Sequence, residues 1–496
     1  MTIDKSDTHA GSNSPTEVDL DIAVIGAGVS GINTAYYIQT KAPKGLSYTV
    51  FEARDAIGGT WDLWRFPGIR TDSDAYSYGF SWNPWGSEAL LAPRSDIISY
   101  LNSSVEKHGI DKHIKFRHRV LSIDWSSKRS AWNMTMQVDN EVKTIRARFI
   151  VFGTGYYDYH EPMHAPIPGL ENFAGTVIQP QWWPEDLDYT NKNMVVIGSG
   201  ATAITIVPNV AEEVKHVTML QRSPSYIWAL PKPDLLTRVV KLVLPEFYAR
   251  RFLRLRYMMY LYTAYYYAGY FPKKTRKTLI DGAAKELPSN VSVDPHFTPS
   301  YNPFQQRVCM TPEGDFFAAI RSGKASVVTD TIKAVTADEI LLTSGETLRP
   351  DIIVAATGLK LQFAGGIKVS MDGQTIDPAS KFSWQNCMIQ DVPNMMFIFG
   401  YANAAWTLGA EVTATLLVRL LRLMKEKGIA EAIPRVQHPE NMKQESLFNL
   451  TSTYVKDADS VFPKGGQGPF NRRRNYPVDI WGARWSDISK GLELRR

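Results

Sequence analysis

Two short runs hold the residues whose types and spacing can do chemistry. GAGVSG places Gly26, Gly28 and Gly31 after the apolar run LDIAVI and at the start of a helix-like segment. The first glycine permits a tight turn, the second lets backbone approach a pyrophosphate, and the third allows close helix packing. The free N–H groups of the helix start, Ser30 among them, then face the phosphates. Glu52 ends the next strand, where a carboxylate accepts hydrogen bonds from both hydroxyls of a ribose. GSGATA repeats the turn with Gly198, Ser199 and Gly200, followed by Ala201 and Thr202, with Ala203 in the third place and Ile204 behind it. Here the next strand ends in Arg222–Ser223 with no acid. A guanidinium pairs with a 2′-phosphate that a carboxylate would repel. Hydrogen bonds to charged groups are worth about 1.5–3 kcal/mol, so Arg222 should favour NADPH over NADH by roughly 10- to 100-fold. Opposite ribose preferences imply two different dinucleotides, and FAD in the first site with NADPH in the second is the simplest pairing.

Other constellations are excluded on physical grounds. HEPMH, His160 to His164, fits a zinc-protease spacing, but Pro162 lies inside it and removes the helix on which both histidines must sit. Cys309 and Cys387 are too far apart for the dithiol of a disulfide reductase, which leaves oxygen as the acceptor for flavin electrons. Two cysteines also mean no disulfide framework and a reducing compartment, the cytoplasm. The formal net charge of +5 on 496 residues makes no case for nucleic acid.

These residues need elements to position them. LDIAVIGAGVSGINTAYYI reads as strand, turn and helix, with SYTVFEA as the next strand. NMVVIGSGATAITIVPNV and HVTMLQR repeat the pattern. Two such starts about 170 residues apart imply an α/β chain with two Rossmann-like dinucleotide-binding domains, for FAD and NADP. FRHRVLSIDW and ARFIVFGTGYY read as strands closing the first. DIIVAATGL, from Asp351, is expected to carry the chain back into the first domain, making the second an insertion. The expected boundaries are a disordered tail over 1–17, the first part of the FAD domain over 18–155 and a linker over 156–192. The NADP domain follows over 193–345, with a helical insert at about 232–299, and the FAD domain's second part and C-terminal segment take 346–496. YMMYLYTAYYYAGYF, Tyr257 to Phe271, is shorter than the roughly 20 residues of a spanning helix. Its basic flanks suit either a buried helix or a weak membrane-surface contact.

A resemblance rests on longer runs: GGTWDLWRFPGIRTDSDAY, the two glycine motifs, FAGTVIQPQWWP and YNPFQQRVCMTPEGDFFAAI. Together they resemble type I Baeyer–Villiger monooxygenases, nearest the group of the mycobacterial ethionamide-activating monooxygenase, over most of Val18 to Tyr476. The family fingerprint F-x-G-x-x-x-H-x-x-x-W-P matches Phe173, Gly175, Trp183 and Pro184, but its histidine is Gln179 here. Gln copies some hydrogen bonds of a neutral imidazole and cannot titrate near neutral pH. The resemblance implies that Thr60, Trp61, Asp62 and Leu63 line FAD and that Val120 meets adenine through its backbone. It further implies that Arg70, Thr71 and Asp72 lie between the cofactors and that Gly198 through Ile204 with Arg222–Ser223 hold NADP.

Arg307 aligns with the family's active-site arginine, and a fixed cation suits a dry site where a peroxyflavin and its ketone adduct are anionic. Asp72 is expected to orient it. The implied reaction uses NADPH and O2 to turn ketones into esters or lactones, with sulfides or thioamides as further substrates. A poorly coupled NADPH oxidase, an S- or N-oxygenase, or a cofactor-binding redox module stay open as alternatives. Trp406 and the run QGPFNRRRNY are expected near the substrate.

Overall fold

The computed structural model describes residues 18–448 and 457–496. The expected tail over 1–17 lies outside them. Two parallel-strand units share one plan. In each, an apolar strand ends in a glycine turn, a helix follows, and the next strand pairs in parallel with the first. In the first unit these are Leu20–Ile25, the helix Val29–Lys41 and Tyr48–Phe51, with Ile22 opposite Tyr48. In the second they are Asn193–Ile197, the helix Ala201–Val210 and His216–Gln221, with Asn193 opposite His216.

Among the described residues the first sheet has nine strands. Leu20–Ile25 sits between Tyr48–Phe51 and Glu141–Phe152, and an antiparallel meander through Ala131–Val138 and His118–Ser126 extends it to Lys368–Met371. The second sheet has five parallel strands in the order Ala325–Thr329, His216–Gln221, Asn193–Ile197, Ile352–Ala355, Thr176–Ile178.

That order corrects two expectations. Ile352–Ala355 does not return to the first sheet but lies inside the second, flanked by Asn193–Ile197 and Thr176–Ile178. Asp351 sets this register: its side chain accepts from the Asn193 N–H (2.7 Å), and its own N–H donates to the Asn193 carbonyl (2.8 Å). A short apolar strand buried on both faces carries no periodicity that says which sheet it joins. The chain re-enters the first sheet at Lys368–Met371. Part of the expected linker, Thr176–Ile178, is the edge strand of the second sheet.

The insert is helical as expected, with helices Leu235–Val243, Glu246–Tyr270 and Pro272–Glu286. Its packing was not legible. Leu253 and Met258 of the long helix join the core of the first unit, Tyr257 stacks on Tyr76 at 4.8 Å, and Arg254 pairs with buried Glu411 at 3.0 Å. Only the third helix reaches the second core, through Ala283. The insert therefore bridges the units. In the other direction Trp64, Phe66 and Ile69, which follow the first glycine turn in sequence, pack into the second core beside Trp183.

Candidate active site

Each glycine turn closes against the end of a neighbouring strand. Gly26 has φ +100°, and a methyl group there would meet the Gly153 carbonyl oxygen at 2.8 Å; Gly198 has φ +140° and would meet that of Ala356 at 2.3 Å. Gly153 follows one strand of the first sheet and Ala356 follows Ile352–Ala355, so both turns lie at the carboxyl ends of parallel strands, where such sheets bind ligands. The second glycine of each turn is open instead. A methyl at Gly28 would come no nearer than 3.7 Å to any atom, and one at Gly200 would meet nothing within 4 Å. That space is the cradle a pyrophosphate requires, and both helix starts face one cavity of about 1270 Å³ between the units.

The groups around it sort by position. Glu52 is buried, and its carboxylate accepts from the Ala27 N–H (2.7 Å) and the Arg54 N–H (3.0 Å), which fixes it beside the first turn. Val120 lines the same part of the cavity at a register shift in its strand pair, which disturbs the ladder there. Thr60 Oγ1 hydrogen-bonds the Tyr159 hydroxyl (2.8 Å), Trp61 Nε1 donates to the Tyr78 hydroxyl (2.6 Å), and Leu63 completes that wall. Across the cavity Ser199, Gly200, Ala201 and Thr202 line the second turn. Ser199 Oγ donates to the Ser223 carbonyl (2.9 Å), tying that turn to the loop that exposes Arg222.

Three expected contact residues sit elsewhere, and Gly31 takes the packing role expected of a third glycine. Gly31 does not line the cavity; a methyl group there would fall 1.8 Å from the Gly26 carbonyl oxygen, so its role is close packing of the helix. Ala203 and Ile204 are buried in the second core behind the turn. Asp62 faces away from the cavity into a cluster of cations, paired with Arg54 and within 3.8 Å of Arg94. Backbone atoms of helix residues 203 and 204 point along the axis while their side chains point to the sheet, and a residue-by-residue carry-over misses that distinction.

In the cavity that both turns line, the guanidinium of Arg307 forms an ion pair with Asp72 across 235 positions of sequence. Both line the cavity and are about a third exposed, 33% and 39%, so the pair is solvent-screened as it stands. Arg307 precedes the short strand Cys309–Pro312, which pairs with Ile227–Leu230 and anchors it to the second unit. Cys309 lies beside it; burial pushes its thiol up to about 12, so it is no thiolate at working pH. Cys387 is buried in the other core, so the cysteines form no dithiol.

Sequence reasoning missed Asp315 and the hydrogen bond that ties Trp406 to the first helix start. Asp315 receives both terminal nitrogens of Arg70, at 2.5 and 3.3 Å, in a bidentate pair that joins the first unit to the helix Asp315–Arg321 of the second. Trp406 Nε1 donates to Ser30 Oγ (2.8 Å) while its ring stacks on Tyr156 at 4.7 Å, so it forms the cavity wall at the first helix start. Both contacts span hundreds of residues, and no local pattern announces them. Trp406 had been placed near the substrate region, as had QGPFNRRRNY, whose Arg473 bonds the Phe399 carbonyl and faces Tyr401 on the cavity wall.

In the family fingerprint Trp183 is buried in the second core, edge-on to Tyr189 at 6.1 Å. Gln179 lines the cavity, and its side-chain amide has no hydrogen-bond partner among the described residues. His160 to His164 form a loop, and no metal-binding cluster occurs among the described residues.

The family described as pyridine nucleotide-disulphide oxidoreductase matches residues 23–247. The chain is 42% identical to the FAD-containing monooxygenase EthA of Mycolicibacterium smegmatis over 473 residues, covering 95% of this chain and 96% of that one. Its fold matches an oxidised steroid monooxygenase bound to NADP, with TM-score 0.76 and 19% identity over 96% of this chain and 99% of that chain. It likewise matches an ε-caprolactone-bound cyclohexanone monooxygenase, with TM-score 0.71 and 20% identity over 96% and 99%.

Proposed function

The chain belongs to the FAD-containing monooxygenases, the family of EthA, and from that premise we propose that it uses NADPH and O2 to insert one oxygen atom into ketones, giving esters or lactones, and oxidises sulfides or thioamides. FAD held at the first turn would, once reduced by NADPH, supply the electrons that activate O2, one oxygen atom of which goes to the substrate and the other to water. The residues of the first turn fit FAD: Gly28 leaves room for the pyrophosphate, the helix start at Ser30 offers N–H groups to it, and fixed Glu52 accepts from ribose hydroxyls. Those of the second turn fit NADPH, with Gly200 open to the pyrophosphate and Arg222 exposed beside it for a 2′-phosphate.

The observation that carries the reading is the Arg307–Asp72 pair standing in the one cavity that both turns line. During insertion, negative charge develops on the ketone oxygen. Arg307 is a cation at any working pH and meets that charge; Asp72 holds the guanidinium plane in position. Bound cofactors displace water from around the pair, which lowers screening and strengthens it when it is needed. Trp406, Tyr156 and Tyr401 close the apolar side of the cavity and keep solvent from the reacting atoms.

Gln179 supports a second reading, a poorly coupled NADPH oxidase. Its amide is untethered and cannot change protonation state where the fingerprint has a histidine. Oxygen uptake with NADPH and a ketone-and-sulfide mixture, with peroxide assayed and products identified by mass spectrometry, separates the two. The monooxygenase reading expects oxygenated product in near-stoichiometric ratio to NADPH for at least one substrate class. Peroxide accounting for all the oxygen with every substrate would overturn it.

A further inference from the structure

The helices Leu235–Val243 and Glu246–Tyr270 carry a long apolar face that nothing covers among the described residues. On the shorter helix only Thr237 and Val240 are buried, while Leu235 is 75% exposed, Leu242 87% and Val243 69%. Leu235, Leu236, Val239, Leu242 and Val243 follow helical spacing, so they form one face rather than scatter. On the longer helix the exposed positions Phe252, Leu255, Met259, Tyr266 and Tyr270 advance by three, four or seven residues and make a second stripe. Twenty-five residues give that helix a length of roughly 37 Å.

The surroundings of this face are strongly basic. Residues 232–277 contain eleven Lys and Arg against two Asp and Glu, whereas the whole chain is only +5, so the remainder is net negative. Some of these cations are used internally: Arg254 with Glu411, Arg256 with Asp234, Arg250 with Glu246. Arg238, Arg251, Lys273 and Lys274 are exposed and have no carboxylate within ion-pair distance among the described residues. A second copy of the chain is a poor occupant, because a two-fold contact through this face would bring like charges together. An anionic lipid surface is complementary in both respects: its headgroups meet the cations while the apolar side chains and tyrosines enter the interface. No helix of the described residues is long and apolar enough to cross a membrane, so the helices would lie along the surface.

We infer that this face docks the protein on anionic phospholipid bilayers. The long helix also touches the catalytic region from behind: the Tyr265 ring meets Phe304 edge-on at 5.6 Å, three positions before Arg307. A docked molecule therefore has its lipid-facing helix one side chain away from the loop that holds the Arg307–Asp72 pair.

The test is co-sedimentation of the FAD-loaded full chain with vesicles of equal parts phosphatidylglycerol and phosphatidylcholine, against vesicles of phosphatidylcholine alone. The expected result is about tenfold or more tighter binding to the anionic vesicles, weakened by salt. The double substitution Leu235→Asp with Leu242→Asp, at exposed positions outside the cofactor cavity, should lose that binding while flavin absorbance and NADPH oxidation stay at wild-type levels. Arg238→Glu with Arg251→Glu should lose it as well. Absent binding, equal binding to both vesicle types, or a wild-type dimer that the Leu235→Asp and Leu242→Asp pair dissolves without any effect on vesicles would each overturn the inference.

Discussion

Glu52 and Arg222 stand in equivalent places, each at or just past the strand that follows a glycine turn, and they differ in sign of charge. That single difference is the basis on which we propose one dinucleotide for each site, and it is legible in the sequence because strand, turn and acid lie within about 30 residues of one another. Arg222→Ala is expected to raise KM for NADPH by roughly 10- to 100-fold and to leave KM for NADH nearly unchanged, since one charge-assisted contact is worth about 1.5–3 kcal/mol. Steady-state kinetics with both cofactors checks this; equal losses would remove Arg222 from the 2′-phosphate. Asp315 belongs to the same scale but could not be found from sequence. Its partner Arg70 lies 245 positions away, and an Asp at the start of a short helix reads first as a helix-terminal charge.

At the scale of elements, the glycine turns separate packing from binding. Gly31 is enclosed by the Gly26 carbonyl, whereas Gly200 is open to the cavity. Gly31→Ala should therefore cost folding stability and lower the yield of yellow protein. Gly200→Ala should leave the melting temperature unchanged while weakening NADPH binding, because its new methyl meets ligand and not protein. Thermal unfolding and NADPH titration of the two variants distinguish these outcomes; a melting temperature that falls for Gly200→Ala would contradict the open cradle. The strand–turn–helix starts were readable because their hydrophobic pattern is local. The sheet membership of Ile352–Ala355 was not, since Asp351 decides it by bonding to Asn193, a contact across 158 positions. The helical insert was recognisable as helical from its composition, but its attachment to the first unit depends on Arg254 and Glu411, 157 positions apart.

For the whole molecule, the contacts joining the two units include the bidentate Arg70–Asp315 pair, the Arg307–Asp72 pair, and Trp64 to Ile69 packed beside Trp183, besides the bridging helical insert. We propose that these contacts help set the spacing of the two glycine turns. Arg70 is only 9% exposed, so removing its carboxylate leaves a poorly solvated cation. Asp315→Ala should accordingly loosen the relative placement of the units and raise the share of NADPH consumed as peroxide, while each cofactor still binds its own turn. Peroxide yield per NADPH, with FAD content as control, reads this out; wild-type coupling in the variant would show that the pair does not hold the units in register.

Arg307, held by Asp72 in the cavity that both turns line, is proposed to meet the negative charge that builds during oxygen insertion. The most direct measurement of that role is rapid kinetics of Arg307→Ala, following flavin bleaching by NADPH without oxygen and then product formation with oxygen and ketone. Loss of one such stabilising group costs about 2.7–4 kcal/mol, so product formation should fall by about 100-fold or more while flavin reduction persists. A variant that reduces its flavin and still oxygenates ketone at the wild-type rate would rule out this role for Arg307.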